Sequence, residues 1–180
     1  MSGKTALLII DVQSAFFIEN LGVYAYNGEE YLSRIKDLIT QARKVGVPVI
    51  YVQHDGAEGT PFEPGTPGWP INPDIAPLKG ELVIHKPTPD AFYHTTLEKE
   101  LETRGIKKLI IAGMQSDWCV DTTVRRAYSL EYDVTVVEDA HTTYDDGVIN
   151  APQIIAHHNV IFGGRFAKLV KADDLDFKKV

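Results

Sequence analysis

Three side chains of this 180-residue chain are of the types that together perform acyl transfer: a carboxylate, Asp11, an ammonium, Lys86, and the one thiol, Cys119. Asp11 ends the apolar run TALLIID, Lys86 follows ELVIH, and Cys119 follows KKLIIA after the segment 113–118. A thiol becomes a usable nucleophile where a nearby cation or a helix N-terminus lowers its pKa. The sequence predicts a helix over 119–130 that opens at Cys119, where the dipole and free N–H groups favour an anion. Asp11 would then take the thiol proton and later return it to a leaving group, with Lys86 holding the two anions together. Singly, each residue has a plainer reading: Cys119 as a buried small hydrophobe, Asp11 as a turn former and Lys86 as a solvated surface charge.

The elements around these residues must bring them to one place. Residues 5–11 form a continuous apolar run of strand length, as expected of a strand buried on both faces. Residues 29–45 carry Leu32, Ile35, Leu38, Ile39 and Ala42 at helical spacing, with Gly46 where a C-terminal cap belongs. Further strands are expected over 48–54, 81–85, 107–112, 133–137 and 167–170, and further helices over 90–104, 119–130 and 151–158. Asp90 and Asp117 are expected as helix caps. Strands and helices alternating in this way predict an α/β fold with a mostly parallel sheet and helices on both faces. In such sheets the ligand site lies beyond the carboxyl ends of the strands, where the strand order reverses. All three reactive residues fall at such ends. Residues 55–80 are rich in Gly and Pro and read as a long excursion, either a lid or a subunit contact.

Composition excludes several classes. The net charge of −7 and the absence of a dense basic run disfavour nucleic acid and anionic membranes as partners. One cysteine makes neither an intrachain disulfide nor a Cys-type zinc site. No apolar run approaches the roughly 20 residues of a bilayer span, and the N-terminus does not read as a signal peptide. The expectation is one cytoplasmic domain over residues 1–180. No dinucleotide, Walker or kinase signature is present.

The strings ALLIIDVQSAFF, then HKPTPDAF with TLEKEL after it, then LIIAGMQSDWCVDTTVRRAYSLEYDVTVVEDAHTT resemble the isochorismatase-like cysteine hydrolase family. That family groups nicotinamidases, N-carbamoyl amino acid amidases, ureidoacrylate and biuret-type hydrolases, and isochorismatases. The likeness runs from residue 6 to about 143 and is weakest in the 55–80 excursion and the tail. It implies a three-layer α/β/α sandwich with a doubly wound, Rossmann-like sheet. It implies that Asp11, Lys86 and Cys119 form a catalytic triad, that the Met114–Gln115 peptide is cis, and that the N–H groups of Gln115 and Cys119 make an oxyanion hole. The activity implied is hydrolysis of a C–N bond in a small amide, ureide or N-carbamoyl substrate through a thioester, without a cofactor. A homodimer or homotetramer is implied as well.

Two departures within the family narrow this. Metal-dependent nicotinamidases carry an Asp-x-His pattern with a further His, whereas here His54 and Asp55 are adjacent and no second His precedes His85. Neighbours on an extended segment point to opposite faces, so no metal site is expected and His54 reads as a pocket wall or loop hydrogen-bonder. Isochorismatase-type vinyl-ether hydrolysis needs Asp11 as general acid but no thiol, so the presence of Cys119 favours amide-type chemistry. A third reading is a non-enzymatic ligand-binding or redox-sensing domain using Cys119, which would need neither Asp11 nor Lys86. Candidate substrate-contacting residues are Gln13, Phe16, Phe17, Trp69, Phe92, Met114 and Trp118.

Overall fold

The structure, a computed structural model, describes residues 3–179. Its first strand, β1 (Lys4–Ile10), shows why the apolar run is continuous. Leu7 and Ile9 enter one core, while Ala6, Leu8 and Ile10 enter another on the opposite face. The first core is closed by helix α1 (Gly28–Val45), which buries Tyr31, Ile35, Leu38, Ile39 and Ala42 and ends on Gly46 in the left-handed conformation. The second is closed by α2 (Leu97–Arg104) and α3 (Asp121–Ser129). The expected three-layer α/β/α arrangement is the one the chain adopts.

The remaining strands are β2 (Val49–His54), β3 (Leu82–Lys86), β4 (Ile106–Met114), β5 (Asp133–Thr142) and β6 (Lys168–Val170), with α4 (Ala151–Ile161) between the last two. All pairings are parallel, in the order β3-β2-β1-β4-β5-β6. The chain winds outward from β1 to β3, then returns to place β4 beside β1 and winds the other way. The reversal therefore falls between β1 and β4, where doubly wound sheets bind ligands. Ile10 pairs with Gly113 and His54 with Lys86, so Asp11, His54, Lys86 and Met114 all reach one edge.

Gly113 makes the close approach of β4 to β1 possible. Its φ is +139°, and a Cβ there would lie 2.6 Å from the Ile10 nitrogen and press on its carbonyl oxygen. Gly113→Ala is therefore expected to destabilise the fold by about 3 kcal/mol, seen as a lower urea midpoint at an unchanged slope.

Three expected boundaries move. The helix over 90–104 starts only at Leu97, because the Asp90 side chain takes the Phe92 N–H (2.8 Å) in a local turn and His94 adopts a φ of +55°. Cys119 does not open an α-helix. It lies in a single π-helical turn, Ser116–Val120, in which the Val120 N–H reaches back to Gln115 O (3.0 Å), and α3 follows directly. Asp117 makes no cap bond there, and its Oδ1 is buried without a partner. Strand β5 runs on past residue 137 to Thr142. The 55–80 excursion consists of turns with one 3₁₀ turn at Pro73–Ile75 and a bridge from Gln13 to Ile71. Among the described residues, no helix is long and apolar enough to cross a membrane.

Candidate active site

Asp11 is the first residue beyond β1. Its N–H is held by Val52 O (2.9 Å) and its φ of +50° is a left-handed conformation that few residues other than Gly and Asn/Asp adopt. Lys86, the last residue of β3, lies two strands away from β1, and its four-carbon stem spans the end of β2. Its ammonium is 0% exposed and makes three contacts: Asp11 Oδ2 at 2.7 Å, Cys119 Sγ at 3.2 Å and Thr88 O at 3.0 Å. Thr88 O and Cys119 Sγ accept hydrogen bonds from it, while the Asp11 contact is an ion pair whose carboxylate oxygens have no hydrogen-bond partner among the described residues. Burial works against the ammonium, but the Asp11 carboxylate first, and then the hydrogen-bonded Cys119 sulfur, outweigh it and hold its pKa above the ordinary lysine value.

The thiol behaves otherwise than the helix-start expectation. Burial pushes its pKa up, and the adjacent Asp11 carboxylate adds to this more than Lys86 draws it down. The reason is placement: Cys119 sits inside a π turn against a carboxylate, not at an open helix end. The thiol therefore keeps its proton at rest beside the Asp11–Lys86 ion pair and loses it during a reaction rather than beforehand.

Asp11 and Cys119 open into a cavity of about 280 Å³. Gln13, Phe16, His54, Phe62, Pro89, Gln115 and Trp118 complete its wall. Phe16 and Phe62 pack at 4.8 Å between ring centroids, and His54 sets its ring edge-on to Phe62 at 6.0 Å. Burial, then the Lys86 charge, lower the His54 pKa, so this imidazole is neutral at pH 7. Asp55 turns away from His54 to accept from Trp69 Nε1 (2.8 Å) and to meet His85 Nδ1 (3.0 Å). The Gln115 N–H, next to the cis Met114–Gln115 bond, has no partner among the backbone hydrogen bonds of the described residues.

Of the sequence candidates for substrate contact, Gln13, Phe16 and Trp118 reach this cavity; Trp118 stands at its mouth, 57% exposed. Gln13 is committed to the backbone as well. Its amide donates to His54 O (3.0 Å) and Trp69 O (2.7 Å) and accepts from the His54 N–H (2.9 Å), tying the excursion to β2. The other four do not line it. Met114 is fully buried in the α1-side core, and Phe92 packs on Tyr132 in the other core. Phe17 stacks on Tyr31, and Trp69 lies over His85. Met114 and Phe17 face away while their neighbours Gln115 and Phe16 face the cavity, whereas Phe92 and Trp69 are drawn off by packing on Tyr132 and on His85. Phe62 and Pro89 were not anticipated; both lie in irregular segments with no periodicity to mark an inward side.

A second polar group lies behind the thiol. Ser116 Oγ meets His141 Nδ1 at 2.8 Å, and His141 Nε2 meets Asn159 Oδ1 at 2.9 Å. Burial lowers the His141 pKa to about 4, against about 6.5 for an unfolded histidine. Between those values the unfolded chain binds a proton that the folded chain refuses. The stability involved is complete above about pH 6.5 and is lost as the pH falls towards 4, a loss of about 3 kcal/mol. Urea denaturation at pH 7 and pH 4 is expected to show a pH dependence smaller by about that amount in His141→Gln; equal dependence in both proteins would contradict it.

The isochorismatase domain pattern matches residues 5–151. The chain belongs to the isochorismatase family. A streptothricin hydrolase of Streptomyces noursei is 34% identical over 95% of this chain, which spans only 60% of that relative's length. A ureidoacrylate amidohydrolase, RutB, of Caulobacter vibrioides is 27% identical over 76% of each chain. The crystal structure of an isochorismatase from Pseudomonas putida KT2440 superposes with a TM-score of 0.89 at 38% identity, covering 96% of this chain and 90% of that one. Isochorismatase-family membership makes the chain a hydrolase and accounts for the doubly wound sheet.

Proposed function

We propose that this family member is a cysteine hydrolase that cleaves the C–N bond of a small amide, ureide or N-carbamoyl compound. The observation that carries the reading is the buried contact of Lys86 Nζ with both Asp11 (2.7 Å) and Cys119 Sγ (3.2 Å) at the floor of one cavity. Relatives named as streptothricin hydrolase and ureidoacrylate amidohydrolase support it.

In this reading the substrate carbonyl carbon sits above Cys119. Asp11 accepts the thiol proton as sulfur bonds to that carbon, and Lys86 stabilises the negative charge as it moves between carboxylate and sulfur. The carbonyl oxygen gains charge and is met by the N–H groups of Gln115 and Cys119; one such donor contributes ~2.7–4 kcal/mol to lowering a barrier. As the C–N bond breaks, Asp11 gives its proton to the departing nitrogen, leaving an acyl thioester and a free amine. Water then loses a proton to Asp11 as it attacks the thioester carbonyl, the C–S bond breaks, and the proton returns to sulfur. The raised thiol pKa suits this cycle, because a thiolate formed only on demand does not have to be stored in a buried site. Buried Asp11 is well placed to serve as both base and acid.

The test is an ammonia- and amine-release screen of primary amides, ureides and N-carbamoyl amino acids, run on wild type and Cys119→Ala. Release by the wild type and none by the variant is the expected result. Equal release by both would mean that sulfur forms no bond to the substrate and that Asp11 activates water for direct attack on the carbonyl.

A further inference from the structure

We infer that the hydrogen-bonded chain Ser116–His141–Asn159 is a positioning device that fixes the turn bearing the reacting thiol; the inference rests on the reading of Cys119 given above. The three residues come from three elements: Ser116 opens the π turn that holds Cys119, His141 is on β5, and Asn159 is on α4.

The direction of every bond follows from the last one. Asn159 Nδ2 donates to Glu138 O (2.9 Å), and a carbonyl can only accept. Asn159 therefore turns its Oδ1 to His141 Nε2 (2.9 Å), which must carry the hydrogen. In the neutral ring Nδ1 is then an acceptor, so the Ser116 hydroxyl donates to it (2.8 Å). Ser116 is fully buried and absent from the cavity wall, so it is not a second nucleophile. It instead ties the start of the π turn to β5, while the Lys86 contact with Cys119 Sγ holds the far side of the turn to β3; Asp117 makes no cap bond there, Trp118 is exposed and Val120 is apolar. Ser116 also directly follows Gln115, which lines the cavity and whose N–H meets the carbonyl oxygen in the reading above.

The surroundings of His141 keep its ring uncharged. Asp139 and Glu138 flank it on its own strand, and Asp139 is already engaged by Arg34 (3.4 Å) and the Ala172 N–H (2.9 Å). His158 of α4 opposes a charge on the ring, and Phe162 sets its ring edge-on at 5.8 Å. From α1, Glu30, Tyr31 and Arg34 share with His141 a cavity of about 210 Å³. An amide at position 159 completes this arrangement. A carboxylate there would accept from Nε2–H, lose the bond to Glu138 O and hold an imidazolium, which would then donate to Ser116 and reverse the bond that orients it.

The experiment uses the full chain and iodoacetamide as the probe, with the alkylation rate of Cys119 followed by intact mass from pH 5 to 9. Cys119 is the chain's sole cysteine, so each added mass reports on it. Wild type is expected to show one rise with pH. Asn159→Asp is expected to add a second inflection between about pH 6 and 8, with at least a 5-fold change in rate across it; Asn159→Gln, which keeps the amide, should add none. Ser116→Ala is expected to change the rate about 10-fold at every pH, and Ser116→Ala/Asn159→Asp should lose the added inflection because the link is cut. Wild-type profiles in Asn159→Asp, or an inflection that survives in the double variant, would overturn the inference. If Ser116→Ala fails to fold, the contrast of Asn159→Asp with Asn159→Gln decides alone. Alkylation needs no hydrolysis, so failure to cleave any amide, with the coupling intact, would count against the hydrolase reading only.

Discussion

Cys119→Ala is expected to lower kcat/KM for the best substrate of the release screen by about 10⁴-fold or more, on the scale of nucleophile removals in other covalent hydrolases. Sulfur in this reading is the atom that bonds to the acyl carbon, and no other cysteine exists to replace it. What the variant retains is the cavity, Asp11 and the Gln115 N–H, enough for binding and residual electrostatic help. Acid quenching during turnover should reveal wild-type chain heavier by the acyl group, by intact mass, and no such species in the variant. Cys119→Ser should fall nearly as far, because a hydroxyl beside Asp11 is a poorer nucleophile than a thiol. Activity within 10-fold of wild type in Cys119→Ala would mean that sulfur forms no bond to substrate.

Lys86→Met carries the largest expected effect on stability. Lys86 and Asp11 are both buried, and their contact is 2.7 Å. Removing one partner leaves an uncompensated charge inside the protein and typically costs about 3–5 kcal/mol. Asp11→Asn/Lys86→Met removes both charges, and we expect it to be more stable than Lys86→Met by urea denaturation, though inactive. A Lys86→Met protein as stable as wild type at pH 7, or no more easily unfolded than the double variant, would show that the two buried charges do not compensate one another.

The layout of the sheet was legible residue by residue. Residues 5–11 are apolar without alternation because β1 has a core on each face, and the α1 stripe from Ile35 to Ala42 has helical spacing because only one side of that helix is buried. Both patterns are local, written within a few residues of the element they specify. That Asp11, Lys86 and Cys119 lie at strand ends followed from the same local runs. The parallel topology then made their convergence predictable, since parallel strands share a carboxyl edge.

Only the folded chain decided how the site is tuned and walled. The thiol pKa is a balance of burial and of two charges far away in sequence, and it came out raised because a π turn, not a helix start, holds Cys119 against Asp11. Trp69 and Phe92 resemble pocket aromatics by type, yet one pairs with Asp55 and His85 and the other fills a core, while Phe62 and Pro89, on irregular segments, reach the cavity. Ser116, His141 and Asn159 are separated by 25 and 18 residues, and no periodicity links them. Periodicity records which side of a regular element is buried; it carries no information about which distant segment covers that side, and charge, cavity shape and hydrogen-bond direction all depend on that covering.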